Sequence, residues 1–445
     1  MLGIVRSASG NVGLPPSPPR PASLQTLQLW RRPFSYLEEL RNRYGPRFTI
    51  RALARPPLVF LSDPHDAKAV FGSSAEVLRP GEGGSVIEPI VGPNSFMIAD
   101  GAAHLHGRTR LLPLYTESAV TAHATAVREI AEREVATWPH GTPVALHDRF
   151  RALSLRVILH TLFGQDLAET PCLHARLLSM LSMTGGTGLN LPATRGFPPT
   201  RSAWRRFLRD RNAVDALIFE LIDHRARDGG RAGEALGVLL AARRPDGTRL
   251  TPTGIRDNLM SLILAGHETT AAELSWSFQL LAHSEGVRAE LVAEIDRDGG
   301  SEYLTATVRE VLRHRPVFLF AIPRAVSAPI EIGGWTYEPP AHLLVCIYLL
   351  HHDPDLFAQP DEFMPERFLD DRTAHGWGPW GGGRKRCPGR RLAVLEVETV
   401  LKVALSHFTL RPAAAPERPS WRSVIVVPHR GSRVILERRR PSFSA

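Results

Sequence analysis

Cys387 has the surroundings that most invite chemistry. It closes the stretch Trp380-Gly-Gly-Gly-Arg-Lys-Arg-Cys387-Pro-Gly389. The glycines let backbone pass close to a bulky group. Arg384, Lys385 and Arg386 crowd the cysteine, and nearby cations favour thiolate over thiol. An apolar run from about Leu392 to Leu405 reads as a helix whose N-terminal dipole adds to that effect. Such a site suits a soft metal, and an iron porphyrin held by one cysteine fits it. A phosphate loop would need Gly-Lys followed by Ser or Thr. A zinc site would need further Cys or His at short spacing, and a redox dithiol a second nearby Cys. The stretch has none of these.

Three other constellations stand out. Polar Glu268, Thr269 and Thr270 follow Gly266 inside the otherwise apolar run Leu259–Ala282. By itself this reads equally as a helix kink with satisfied local hydrogen bonds or as a functional interruption. His104 and Arg108 stand at i and i+4, on one face of a helix. Glu310 and Arg313 stand at i and i+3 on another, where an exposed pair contributes little. His351-His352-Asp353 could suggest a metal, but Asp353-Pro354 marks a turn, which is the preferred reading.

These residues must be positioned by elements the sequence partly spells out. Residues 1–21 end in a proline-rich run from Leu14 to Pro21, expected as a stiff tail leading into one domain over 22–445. Phe34 to Tyr44 reads as an amphipathic helix ended by Gly45-Pro46. Phe48–Ile50 and Leu58–Leu61 read as a hairpin. From about Ala102 to Ala282 the pattern is mostly helical, broken at Gly- and Pro-rich points. Thr251 can cap the last of these helices, with Pro252 in its first turn. Strand-like runs return near Ile330–Ile332, Leu343–Leu349, Val424–Val427 and Val434–Leu436. The sum is a mainly α fold with a minor β region, without strict βαβ alternation.

Bulk properties set outer limits. The chain has 445 residues, 43% hydrophobic and 22% charged, which is ordinary for a globular protein. Its formal net charge of +9 serves solubility or an acidic partner about equally well. No nucleic-acid motif accompanies that charge. Three cysteines, Cys172, Cys346 and Cys387, argue against a disulfide framework and fit a reducing cytosol. No apolar run is long enough to span a membrane, so a soluble, cytoplasmic protein is expected.

The cysteine loop is similar to the haem-binding signature of the cytochrome P-450 family, Phe-x-x-Gly-x-Arg-x-Cys-x-Gly. Gly383, Cys387 and Gly389 match it, whereas Trp380 replaces the usual Phe and Lys385 the usual Arg. Ala265-Gly266-His-Glu268-Thr269-Thr270 resembles the family's oxygen-side helix. Glu310-x-x-Arg313 followed by Pro365-Glu-Arg367-Phe368 resembles its structural network. His104-x-x-x-Arg108 and Arg324 resemble its propionate-binding residues. The matches run in order from about Pro15 to Pro428.

The resemblance implies a helical prism around one buried haem b. It implies Cys387 as axial ligand, with Trp380, Gly383 and Gly389 shaping the loop and His104, Arg108, Arg324 and Lys385 meeting the propionates. It implies Glu268 and Thr269 as the residues that manage oxygen and protons. The activity implied is monooxygenation: one oxygen atom of O2 enters a bulky, mostly apolar substrate such as a terpenoid, steroid or fatty acid. Apolar runs at Val86–Ile98, Met180–Phe197 and Phe318–Ile322 match substrate-contacting regions, with Gly185, Gly186 and Gly188 as lid hinges and Arg195 or Arg201 as carboxylate anchors. Electrons would come from a ferredoxin and its reductase, since the chain carries no flavin or nicotinamide fingerprint. A monomer is expected. A haem-thiolate peroxygenase or isomerase, or a non-enzymatic haem or lipophile binder, are the alternatives.

Overall fold

The computed structural model describes residues 11–164, 171–184, 200–228, 233–297, 301–370, 376–422 and 424–439. The expected hinges Gly185, Gly186 and Gly188, and with them Leu189, Leu191, Arg195 and Phe197, lie outside these. Helices dominate the described residues, with several small sheets set among them.

One helix, Pro252–His283, organises the rest. We call it the central helix. Its start is the one the sequence spells out: Thr251 Oγ1 accepts the Gly254 N–H at 3.1 Å, and Pro252 sits in the first turn, where no amide donor is needed. At 1.5 Å per residue its 32 residues span about 48 Å. Gly254–Ile263 and Thr270–Gln279 are buried throughout, as expected of a helix that crosses the interior. Between them Leu264, Ala265, Gly266, Glu268 and Thr269 keep accessible surface.

A second helix, His147–Phe163, packs along the central one and is called the buttress helix below. Gly266 permits the close approach, because a Cβ there would lie 2.9 Å from Ile158 Cδ1. A third helix, Arg390–His407, starts just after Cys387 and buries Leu392, Val397, Val400 and Leu401. It runs directly into strand Phe408–Pro412, which pairs with Arg433–Arg438, and that strand pairs in turn with Pro143–Ala145.

The largest sheet has five strands in the order Arg47–Ile50, Leu58–Leu61, His342–Val345, Arg324–Val326, Leu78–Arg79. Its first pair is the expected hairpin, with Phe48 opposite Phe60. The run Leu343–Leu349 is strand only to Val345, and Ile347–His351 is a short helix. An unbroken apolar run does not tell buried strand from buried helix. Here the strand stops where its parallel partner stops, at Leu61 opposite Val345. Pro15 and Pro18, in the proline-rich run, are buried, and the carbonyls of Pro15 and Pro16 accept from Thr49.

Glu310 and Arg313, on helix Glu302–His314, are both fully buried. Arg313 donates twice to the Glu310 carboxylate, at 2.7 and 2.8 Å, and once each to the carbonyls of His351, Pro360 and Glu362. Arg367 donates to Glu310 at 3.2 Å, and the Met364 N–H adds a further bond at 2.8 Å. The carboxylate is thus saturated, and the pair ties the helix to the Pro365–Phe368 turn that leads toward the cysteine loop. Removing one partner of such a buried pair costs about 3–5 kcal/mol, because the other charge is left stranded. His351 is part of the same scaffold: its Nε2 accepts the Gly378 N–H at 3.1 Å. Among the described residues no group of His, Cys, Asp and Glu is arranged to hold a bare metal ion.

Candidate haem-thiolate site

Cys387 follows a short turn, Gly383–Lys385, and its N–H donates to Trp380 O at 2.9 Å, closing the loop. The glycines are needed for a reason invisible in the sequence. Helix Pro64–Gly72 brings Phe71 against the loop. A Cβ on Gly382 would lie 2.4 Å from Phe71 Cδ2, and one on Gly383 only 2.0 Å from Phe71 O. Gly383 also has φ +61°, a backbone region that costs other residues about 1–2 kcal/mol. Gly389 is less constrained, since the nearest atom to its Cβ position is Tyr115 Cε1 at 3.7 Å. Trp380 packs in one apolar cluster with Trp377, Phe318 and Ala272.

Of the three cysteines, Cys172 is exposed and Cys346 is buried, whereas Cys387 keeps part of its surface accessible. Burial pushes the Cys346 thiol up to about 12, so it stays a plain core thiol. Burial also raises Cys387, opposed by a backbone N–H and by the charges of Arg108 and Arg390. The sequence pointed instead to Arg384, Lys385 and Arg386. The turn sends Arg384 and Arg386 to the surface and Lys385 away to other partners. Arg108 therefore stands close to the cysteine from helix Gly101–Leu111.

His104, on the same helix, is buried. Its Nδ1 lies 2.8 Å from Phe96 O and its Nε2 3.2 Å from Arg384 O. A neutral ring has one N–H and satisfies one of these carbonyls, whereas a protonated ring satisfies both. Burial and the charge of Lys385 hold it toward the neutral form. Lys385 Nζ donates to Met97 O and Ala99 O at 2.7 and 2.8 Å, and burial pulls its pKa down to about 8. Arg324, at the start of strand Arg324–Val326, is only 6% exposed; it donates to Ile322 O at 2.8 Å, and burial lowers its pKa to about 10.

His104, Arg108, Lys385 and Arg324 thus converge, and they depress one another: Arg108 and Lys385 act on His104, and Arg324 and Arg108 act on Lys385. Asp100 is the one carboxylate felt by Lys385 and Arg324, and its oxygens are occupied by the N–H groups of Gly81 and Glu82 at 2.7 and 3.1 Å. Burying cations without anions is costly. The site therefore fits a bound group that brings its own negative charges beside an accessible cysteine. A haem, with two propionates and an iron that accepts a thiolate, has that chemistry.

On the central helix, Thr269 and Ala265 lie within the accessible interruption, and Thr269 Oγ1 donates to Ala265 O at 2.6 Å. Glu268, one residue earlier, accepts from Arg151 Nε of the buttress helix at 2.7 Å. Sequence reasoning missed Phe71, Asp100 and Arg151. Asp100, directly before a helix start, carried a visible signal; the other two did not. Arg201 lies exposed on helix Thr200–Asp228. A cavity of about 640 Å³ lies between Arg55, Val86, Arg211 and Arg256, and Cys387, His104, Arg108, Lys385, Arg324, Glu268 and Thr269 do not line it. Its Arg256 is paired with Asp215 at 2.5 Å and Asp257 at 3.0 Å.

A partly accessible cysteine near a group of cations, and a long helix interrupted by an acid and an alcohol, suit a haem-thiolate oxygenase. The cytochrome P450 family profile matches residues 14–436, and the chain belongs to that family. Cytochrome P450 138 of Mycobacterium tuberculosis is 34% identical over 432 residues, covering 96% of this chain and 97% of the relative. Cytochrome P450 135B1 of the same organism is 32% identical over 440 residues, covering 96% and 92%. A retinoic-acid-bound cyanobacterial CYP120A1 superimposes with TM-score 0.84 at 22% identity, covering 96% of this chain and all of that one. The haem domain of cytochrome P450DA does so with TM-score 0.84 at 23% identity. The protein is accordingly a monooxygenase oxidoreductase that uses haem b. No helix among the described residues is long and apolar enough to cross a membrane.

The loop geometry makes a specific prediction. Gly382→Ala should lower haem content per chain, and Phe71→Ala in the same chain should restore much of it, because the clash is with a side chain. Gly383→Ala should lower it further and resist that rescue, because its clash is with backbone. Equal rescue of both, or full haem retention by Gly383→Ala, would contradict the packing described.

Proposed function

We propose that Cys387 would supply the thiolate that holds the haem iron and that His104, Arg108, Arg324 and Lys385 would hold the propionates. The observation that carries this reading is the convergence of Arg324, Lys385 and Arg108 with His104 beside a partly accessible cysteine, with Asp100 the one carboxylate felt by Lys385 and Arg324. Trp380 and Gly383 shape the loop on the cysteine side, and Gly389 leaves it open. When bound, the haem activates O2 so that one oxygen atom enters a substrate carbon–hydrogen bond. The protein's own contribution is to position substrate, hold or exclude water and move protons.

Glu268 and Thr269 divide the last task. Thr269 spends its hydroxyl proton on Ala265 O, so its oxygen meets a second group first as an acceptor. It becomes a donor by swinging off Ala265. Glu268 is held by Arg151 through Oε1, which leaves Oε2 to take up and release a proton.

The substrate we infer is bulky and mostly apolar, and the reaction a hydroxylation. Of the apolar residues singled out in the sequence, Ile90, Val91, Phe96, Met180, Leu181, Met183 and Leu319 are buried in the core. Val86, Ile87, Ile98, Phe318, Phe320 and Ile322 keep accessible surface and are the substrate-contacting candidates. A polar substrate against them would leave donors and acceptors unpaired. Electrons come from an acidic ferredoxin served by its reductase. Arg384, Arg386, Arg391 and Lys402 are exposed around the cysteine loop and the helix after it. Arg386 and Arg391 lie close enough to lower the pKa of Arg390, which marks a dense positive patch.

Thr269→Ala should keep haem and substrate binding but divert more electrons to peroxide, and Glu268→Gln should slow product formation. Unchanged coupling of electrons to product in both variants would reject the assignment. Arg391→Glu should slow reduction by an acidic ferredoxin and flatten its salt dependence. The largest spin-state changes should come from the apolar members of a size-matched compound panel. Reduction that ignores both salt and the substitution would refute the partner, and tight binding confined to polar compounds would refute the substrate class.

A further inference from the structure

The positive charge of this chain is gathered in one short stretch. Residues 20–55 hold eight arginines against two glutamates and no other charged side chain, a balance of +6 in a chain whose total is +9. Two of the eight are neutralised within the fold: Arg41 pairs with Asp353 at 2.5 Å and Arg47 with Asp66 at 2.6 Å. The other six, Arg20, Arg31, Arg32, Arg43, Arg51 and Arg55, are exposed. Of the glutamates, Glu38 accepts the Tyr348 hydroxyl, and Glu39 stands 3.9 Å from Arg20 and 3.6 Å from Arg32. The surface of this stretch is therefore strongly positive.

Large apolar side chains are exposed on the same stretch. Helix Ala22–Arg31 leaves Leu24, Leu27 and Trp30 41%, 45% and 54% exposed. Spaced three apart, they share about a third of the helix surface. Leu53, in the turn between strands Arg47–Ile50 and Leu58–Leu61, is 60% exposed. These are four of the nine large apolar side chains exposed among the described residues. A single exposed leucine is ordinary, but an apolar patch set among charges marks an interaction surface.

The inner face of this helix is fastened to the hairpin, so the patch is one preformed unit. Gln25 is fully buried. Its Nε2 donates to Arg20 O at 2.8 Å and Pro18 O at 3.2 Å, and its Oε1 accepts the Arg51 N–H at 2.9 Å. Thr26 Oγ1 accepts the Leu53 N–H at 2.8 Å. Trp421 Nε1 donates to Leu29 O at 3.1 Å. Arg51 and Leu53 are thus held beside Leu24, Leu27 and Trp30, and no ordering is needed before a partner meets them.

We propose that this patch docks the protein on an anionic membrane surface, with Leu24, Leu27, Trp30 and Leu53 entering the boundary between headgroups and acyl chains while Arg20, Arg31, Arg32 and Arg51 meet lipid phosphates. The patch lies on the surface without spanning: apolar side chains with a flanking ring of cations are what binds at that boundary. Tryptophan favours the same depth, and arginine keeps its charge at the headgroups while its stem lies along the apolar layer. Charge selects this occupant over a second copy of the chain, which would set +6 against +6. Leucine selects it over nucleic acid, whose bases stack on aromatic rings. None of these residues belongs to the haem site, so the proposal stands apart from that reading.

Co-sedimentation of the haem-loaded full chain with phosphatidylcholine vesicles, with and without phosphatidylglycerol, tests this. Binding should appear with phosphatidylglycerol and weaken as salt is raised. Arg31→Glu with Arg51→Glu should weaken it by more than about tenfold, at roughly fivefold per charge near an anionic surface. Leu27→Ser with Trp30→Ser should weaken it by about tenfold or more, through the apolar area no longer buried. Both variants should keep the haem content of the wild type, since the four side chains are exposed. Brominated acyl chains should quench wild-type fluorescence, and Trp30→Phe should remove most of that quenching while still sedimenting with the vesicles. No binding to the anionic vesicles overturns the proposal. So does binding that the Leu27→Ser, Trp30→Ser variant retains in full, which would make the contact one of charge alone. A concentration-dependent dimer that this variant abolishes, with vesicles ignored, would assign the patch to a second copy and also overturn it.

Discussion

The protein gathers three cations, Arg324, Lys385 and Arg108, where hydration is restricted, around His104, which burial holds toward its neutral form. Arg324 and His104 are buried, Lys385 and Arg108 half-buried, and Asp100 is the one carboxylate set among them, with both its oxygens engaged. Each cation lowers the pKa of a neighbour. Such an arrangement is expensive in isolation and favourable only with an anionic group bound among the cations. Much of the surrounding fold follows from this. The strand that starts at Arg324, the helix carrying His104 and Arg108, and the loop carrying Lys385 come from distant parts of the chain and must meet within a few ångströms.

Meeting requires rigid supports. The fully buried Glu310–Arg313 pair, joined by Arg367, binds one helix to the turn that leads toward the cysteine loop. Phe71 limits the loop from another side and admits only glycine at two consecutive positions. The central helix supplies the roof. It tolerates polar Glu268 and Thr269 in its middle because Arg151 answers the first and the Ala265 carbonyl the second.

Features governed by local rules were legible in the sequence. Thr251 and Pro252 announce a helix start by capping chemistry. The hairpin between Phe48 and Phe60 follows from alternation and a Pro-rich turn, and Cys387 stood out through its glycine and arginine neighbours. What failed to show were contacts between residues far apart in sequence. Arg151 and Glu268 are 117 positions apart, and nothing in their spacing forecasts a 2.7 Å bond. The same holds for Phe71 against Gly383. Of the cations acting on Cys387, Arg390 is near it in sequence but Arg108 arrives from another helix, while a tight turn sends Arg384 and Arg386 outward. Ile347–Leu349, read as strand, instead opens the short helix Ile347–His351, because an apolar run carries no period of its own.

The claim on which the rest depends is that Cys387, alone among three cysteines, ligates the haem iron. The direct measurement is the absorption spectrum of the reduced, carbon-monoxide-bound protein. The wild type should show the red-shifted Soret band of thiolate ligation, as should Cys172→Ala and Cys346→Ala. Cys387→Ala should lose that band while still binding haem through its cation cluster. A Cys387→Ala protein that keeps the red-shifted band would contradict the account.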